Sequence, residues 1–269
     1  MPYVSATDVS IAGDQVAIAI THGTFGSHIG VALCDDGGTA KLLHLAWHRM
    51  LVQEGYPQPN WAASIANLPA AGMELVAPVI RGMLEKYEDI KDEVCYGVNL
   101  YAGQGAVKSD GSYLAGPDSD GHTCSSFVAD IFHGAGLPLI DLQSWDPTQE
   151  SRAWGDAVAC CLTRWGQSQN IAEMPAHVEA VRANNRGLRV LPEEVAAAAV
   201  EPNAGVRPAM QKDLKASAER VAGEMRRVCQ AGPTPPLFRE CVETYQVALL
   251  SLEKSVEAQV APPLAAGDK

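Results

Sequence analysis

Residues 27–48, SHIGVALCDDGGTAKLLHLAWH, constrain this chain more than any other stretch. Bulky apolar side chains alternate with small or polar ones over 27–33 and again over 41–47, the period-two pattern of strands that bury one face. Asp35, Asp36, Gly37 and Gly38 lie between them and turn the chain back on itself. Joined through an odd-numbered loop with a glycine in the left-handed conformation, the two runs form an antiparallel hairpin. Ile29, Val31 and Leu33 mark the core face of the first strand, and Leu43, Leu45 and Trp47 that of the second. The opposite face carries His28, Gly30 and Ala32, then Leu42, His44, Ala46 and His48. His28 therefore projects over glycine and alanine, which leaves room for a cleft. His44 falls across from it or diagonal to it, with Cβ atoms about 5–8 Å apart. Two imidazoles so placed suit a base and its orienting partner, although on a solvated face they are simply polar residues. His48 is exposed by the same parity and reads as a surface neighbour.

A second informative stretch is DGHTCSSFVADIFHGAGLPLI, residues 120–140. Thr123 is a good N-cap, Phe127, Val128, Ile131 and Phe132 form a buried stripe at helical spacing, and Gly134 and Gly136 end the helix. A lone cysteine beside such a stripe is most often core filling. Cys124, however, falls in the first helical turn, where free N–H groups and the positive helix end favour a thiolate. Lowering a thiol pKa from about 8.5 to about 6 makes most of it ionised at neutral pH. The same N–H groups can receive an oxyanion.

The remaining pattern implies an α+β chain. DQVAIAI (14–20) and VCYGVNLY (94–101) read as strands, 70–89 as a helix, and 102–122 as a loop in which Asp118 and Asp120 are solvated. Helical patterns recur at 148–166 and 172–184, and Leu188, Val190 and Leu191 suggest a strand before a helix in LRVLPEEVAAAA. Residues 208–231 and 236–258 are amphipathic around AGPTPP and predict an antiparallel helical hairpin. The expected organisation is a domain over 1–200, a helical annex over 205–260 that offers a surface to a protein partner, and a disordered tail over 261–269.

Charge and composition exclude several functions. A net charge of −12 disfavours nucleic-acid binding, which needs cationic side chains against phosphates. No apolar run suffices for a transmembrane segment, and the first residues lack the basic start and apolar block of a cleavable signal. The expectation is a chain cytoplasmic as synthesised, with delivery outside the cell through a signal-independent route left open. The seven cysteines include no CxxC pair, which suggests free thiols in a reducing compartment rather than a disulfide framework. His28, His44, His48 and Cys124 lack the tight spacings of a zinc motif, so no metal or cofactor is expected.

Together, TCSSFVADIFHGAGLPL and SHIGVALCDDGGTAKLLHLAWH resemble the papain-like, NlpC-type cysteine hydrolases. The resemblance covers roughly residues 14–140 and implies an antiparallel sheet with the nucleophile helix packed on it. It implies Cys124 as nucleophile, His28 as base and His44 as the orienting third member. Tyr96 or Tyr101 would match a tyrosine assisting the oxyanion in that family; by their position, Thr123 and Ser125 border the same site, and His122 either helps position substrate or is an ordinary loop histidine. The histidines precede the cysteine, an order similar to the circularly permuted, lecithin:retinol acyltransferase-like branch. Thr123 stands where Asp or Asn is usual before the cysteine, and Ser126 where glycine is usual. The implied activity is hydrolysis of an amide in a peptide-like substrate, peptidoglycan stem peptides first, as in a recycling enzyme or a delivered antibacterial effector. The alternatives are an acyltransferase or thioesterase on lipid acyl groups, or a non-catalytic binding module.

Overall fold

A computed structural model describes residues 3–23, 26–116, 119–202, 204–230 and 236–260, with side chains to 252 in the last helix. Six antiparallel strands form one sheet: β1 (Val4–Ser5), β2 (Ala17–Gly23), β3 (Gly26–Cys34), β4 (Ala40–Trp47), β5 (Met50–Gly55) and β6 (Ala62–Ile65), in the spatial order β1-β6-β2-β3-β4-β5. Eight α-helices occur among the described residues: α1 (Ala70–Glu85), α2 (Tyr87–Ile90), α3 (Cys124–Gly134), α4 (Gln149–Gln169), α5 (Met174–Asn184), α6 (Pro192–Val200), α7 (Gln211–Val228) and α8 (Arg239–Val260). The fold is α+β, as the sequence pattern implies.

The central hairpin follows its side-chain alternation. Val31 pairs with Leu43 and Cys34 with Ala40, leaving a five-residue loop in which Gly38 has φ 76°. Ile29, Val31, Leu33, Leu43 and Leu45 are fully buried in the main core, together with Phe127, Val128, Ile131 and Phe132 of α3. The opposite face is a thinner layer built from Ala17, Ala19, Ala32, Leu42, Trp61 and Ala63. A helix with one apolar stripe thus lies on one side of β3 and β4, and its first turn reaches the end of the sheet where β3 begins.

Several expectations need correction. Residues 94–101 form no strand; Tyr96 makes a single parallel bridge to His122, and glycine-rich backbone on both sides stops the ladder there. Residues 188–191 are an extended lead into α6 rather than a strand, and β2 starts at Ala17 and runs to Gly23. The terminal helices do not form the expected hairpin. α7 packs on α6, β1 and β6, whereas α8 packs on α4, and both contribute to the same core as the sheet. That packing brings Cys160 of α4 to Cys241 of α8, which form a disulfide with Cα atoms 6.1 Å apart. The expectation of free thiols throughout therefore fails, while Cys34, Cys95, Cys124, Cys161 and Cys229 remain free. His48 is 1% exposed, not a surface residue. It occupies the turn between β4 and β5, just after a bulge at Leu45–Trp47, where strand parity no longer sets side-chain direction. Asp118, residues 231–235 of the AGPTPP break and the tail 261–269 lie outside the described residues.

Candidate active site

Cys124 is the first residue of α3. The Thr123 side chain accepts the Ser126 N–H at 3.0 Å, and Ser126 Oγ accepts the Thr123 N–H at 2.9 Å. This reciprocal capping box fixes where the helix starts, and so fixes the sulfur. Ser126 thus serves the cap. Ser125 is buried, and its Oγ lies 3.9 Å from Cys124 Sγ.

His28, half-buried on β3, brings Nε2 to 2.8 Å from Nδ1 of His44 on β4. Extending the β3–β4 register sets Gly30 opposite His44 and His28 on the diagonal. A methyl group at position 30 would lie 2.8 Å from His44 Cβ, so only glycine lets the second imidazole stand there. The Trp61 ring packs on both, with centroids 5.6 Å from His28 and 5.3 Å from His44.

A fourth group completes this chain. His44 Nε2 is 3.4 Å from Glu54 Oε1 on β5. A carboxylate accepts only, so it favours the His44 tautomer with hydrogen on Nε2 and a lone pair on Nδ1. That lone pair then takes the hydrogen on His28 Nε2, which leaves His28 Nδ1 unprotonated. Glu54 thereby sets the direction of the whole relay and makes His28 a base at the nitrogen facing away from His44. Glu54→Ala is expected to slow turnover roughly tenfold or more through loss of this polarity. The check is turnover of wild type and variant across pH, because a purely structural loss would lower activity without moving the profile.

His28, His44, Tyr96, Cys124, Trp47 and Phe238 all line one cavity of about 240 Å³. Larger cavities of about 540 and 760 Å³ hold neither cysteine nor histidine in their walls. Among the described residues no hydrogen bond joins Cys124 Sγ to either imidazole. The sulfur instead meets the Ile29 N–H and Ser125. Tyr96 is buried with its hydroxyl against the backbone N–H of Cys124, and burial raises its pKa strongly. Arg189, stacked 4.2 Å over the Trp154 ring, adds positive potential toward both Cys124 and Tyr96.

The electrostatics differ from the expected thiolate. Burial pushes the Cys124 thiol up, and the Ile29 N–H and Ser125 only partly oppose this. Burial, then the neighbouring His44, lowers His28 to about 3, and burial lowers His44 to about 4. Thiol and imidazoles are thus neutral together, because the desolvation that favours uncharged forms outweighs the helix-start N–H groups. Since the thiol titrates above its usual value, its ionised fraction rises about tenfold per pH unit throughout the range below. Alkylation of Cys124 by iodoacetamide, read on its own peptide by mass spectrometry, is expected to climb with that slope from pH 6 to 9 without a plateau. A pre-formed ion pair would instead level off at acidic pH.

Two other expected site residues lie elsewhere. Tyr101 donates its hydroxyl to the Leu142 carbonyl at 3.0 Å and is absent from the cavity wall. His122, in the loop before α3, does not line the cavity. It is 1% exposed, with Nε2 3.7 Å from Asp130 Oδ2, whose carboxylate also accepts the Gly105 and Val107 N–H groups. Asp120, expected in solvent, is buried, and burial raises its carboxyl to about 6. Glu54, Trp61, Arg189 and Phe238 were not anticipated. Only Glu54 had a local signal: the alternating run MLVQEG sits one tight turn after β4 and pairs Leu42 with Glu54, diagonal to His44. Comparison with family models, curated proteins and solved structures finds no match in any of the three.

Proposed function

We propose that this protein is a cysteine hydrolase acting through a thioester, on a papain-like scaffold of permuted order. The observation that carries the reading is the row of contacts His28–His44–Glu54, in which both imidazoles line the same cavity as a cysteine at a helix start. Cys124 Sγ attacks a carbonyl carbon while His28 Nδ1 takes the thiol proton. The oxyanion forms beside the first turn of α3 and the Tyr96 hydroxyl. Collapse expels the amine, which leaves with the proton held by His28. Water then gives a proton to His28 and attacks the thioester, and the departing sulfur recovers that proton.

An imidazole as weakly basic as His28 costs free energy to protonate, but its imidazolium is correspondingly a strong acid toward a poor amine leaving group. This favours amide cleavage. The peptide-like substrate, peptidoglycan stem peptide in particular, follows from the family resemblance of the Cys124 and His28 segments. Incubation with purified sacculi, followed by mass analysis of the soluble fraction, tests it. Released stem-peptide fragments support the reading. No release at any pH from 6 to 9, with Cys124 still alkylatable, removes the cell-wall substrate, and turnover of acyl thioesters or lipid esters instead would reassign the enzyme to acyl transfer.

A further inference from the structure

Behind the cavity wall lies a second cluster that the reaction above does not use. His48 in the β4–β5 turn, Cys95 in the 94–101 segment and His177 on α5 bring one donor atom each to within 4.8 Å of one another. We infer that His48, Cys95 and His177 form a zinc-binding site that ties these three segments together.

The side chains are prepared for such an ion. His177 Nε2 lies 2.8 Å from the Tyr96 carbonyl, which only accepts, so this nitrogen carries the hydrogen and Nδ1 keeps a free lone pair. An imidazole oriented by an N–H to a backbone carbonyl is the usual second-shell arrangement of a metal-bound histidine. His48 is 1% exposed, and its buried Nε2 has no hydrogen-bond partner. An orphaned buried donor costs about 1–3 kcal/mol, which simple packing leaves unrepaid. The two rings stand with centroids only 4.2 Å apart and make no hydrogen bond to each other. Coordination through His48 Nε2 moves the ring hydrogen to Nδ1 and gives up the long 3.4 Å contact from the Tyr96 N–H. Cys95 binds as thiolate, its proton passing to solvent, beside the Arg49 guanidinium that hydrogen-bonds the sulfur.

The donor set selects the ion. One thiolate and two imidazoles without a carboxylate suit zinc and exclude magnesium and calcium. Bonds of about 2.0–2.3 Å in a tetrahedron hold donors roughly 3.3–3.8 Å apart, so the cluster needs to contract by at most about 1.5 Å. The fourth position falls to water, which reaches the site past half-buried Cys95 and His177. His177 keeps its bond to the Tyr96 carbonyl, so the ion would brace the residue whose hydroxyl meets the Cys124 N–H. Binding is independent of whether Cys124 is a nucleophile.

The test uses the full chain stripped with chelator, then titrated with cobalt(II) as a spectroscopic stand-in and with zinc. One ion per chain is expected, with an intense thiolate-to-cobalt absorption that Cys95→Ser abolishes and Cys124→Ala leaves intact. His177→Ala, at a half-exposed surface position that should not impair folding, is expected to weaken binding at least tenfold. Zinc is expected to raise Tm by several degrees in wild type and not in Cys95→Ser. Absence of binding at micromolar metal overturns the proposal. So does an absorption that survives Cys95→Ser but is lost in Cys124→Ala, which would put the ion at the His28–His44 pair.

Discussion

Cys124→Ala is expected to lower release of peptide from sacculi by roughly a thousandfold or more, because it removes the atom proposed to carry the acyl group. The fold should survive it. The position is buried in the core against Phe127 and Val128 of its own helix, and replacing sulfur by hydrogen there costs about 1 kcal/mol of stability. The cap made by Thr123 and Ser126 does not involve the sulfur, so the helix start stays in place. Activity and stability should therefore separate cleanly, with release lost while Tm moves by a few degrees. Release that persists in the variant would show that the chemistry belongs to another group.

The largest structural effect is expected at Gly121. Its φ of 103° lies where side chains rarely go, and an added methyl would sit 2.1 Å from the Cys95 carbonyl oxygen, which is backbone and cannot step aside. Backbone strain and overpacking each contribute about 1–3 kcal/mol, so Gly121→Ala should destabilise the chain by about 3 kcal/mol or more. The damage is local to function as well, because Gly121 sits beside the His122–Cys95 bond that holds the 94–101 segment to the approach of α3. Denaturant titration of the variant measures the loss. A change below about 1 kcal/mol would mean that the 95–122 contact is not a fixed part of the fold.

What the sequence made legible was local. Alternation in residues 27–33 and 41–47 assigned Ile29 and Val31 to the core and His28 to the other face, and a single N-cap placed Cys124 at a helix start. The relation between His28 and His44 followed from one loop and one register. The rest depended on which distant elements meet. Phe238 enters the cavity only because α8 crosses α4, a contact that amphipathic spacing cannot choose over α7. Arg189 reaches toward Cys124 from an extended segment whose strand-like pattern says nothing of where it lies. His48 escaped because a bulge and a turn replaced strand parity, and His177 because one histidine on a helix face carries no signal without its partners. The protonation states were misjudged for a related reason. A first helical turn favours a thiolate, but the sign of the shift is decided by burial, which only the tertiary structure reveals.

The account rests on His28 acting on Cys124. The most direct measurement compares the rate of stem-peptide release from sacculi at pH 7.5 in wild type and in His28→Gln, which keeps the side chain's bulk but removes the base. The account predicts at least a hundredfold fall in release, while alkylation of Cys124 keeps the same rise with pH in both proteins. Equal release by the two proteins would contradict it.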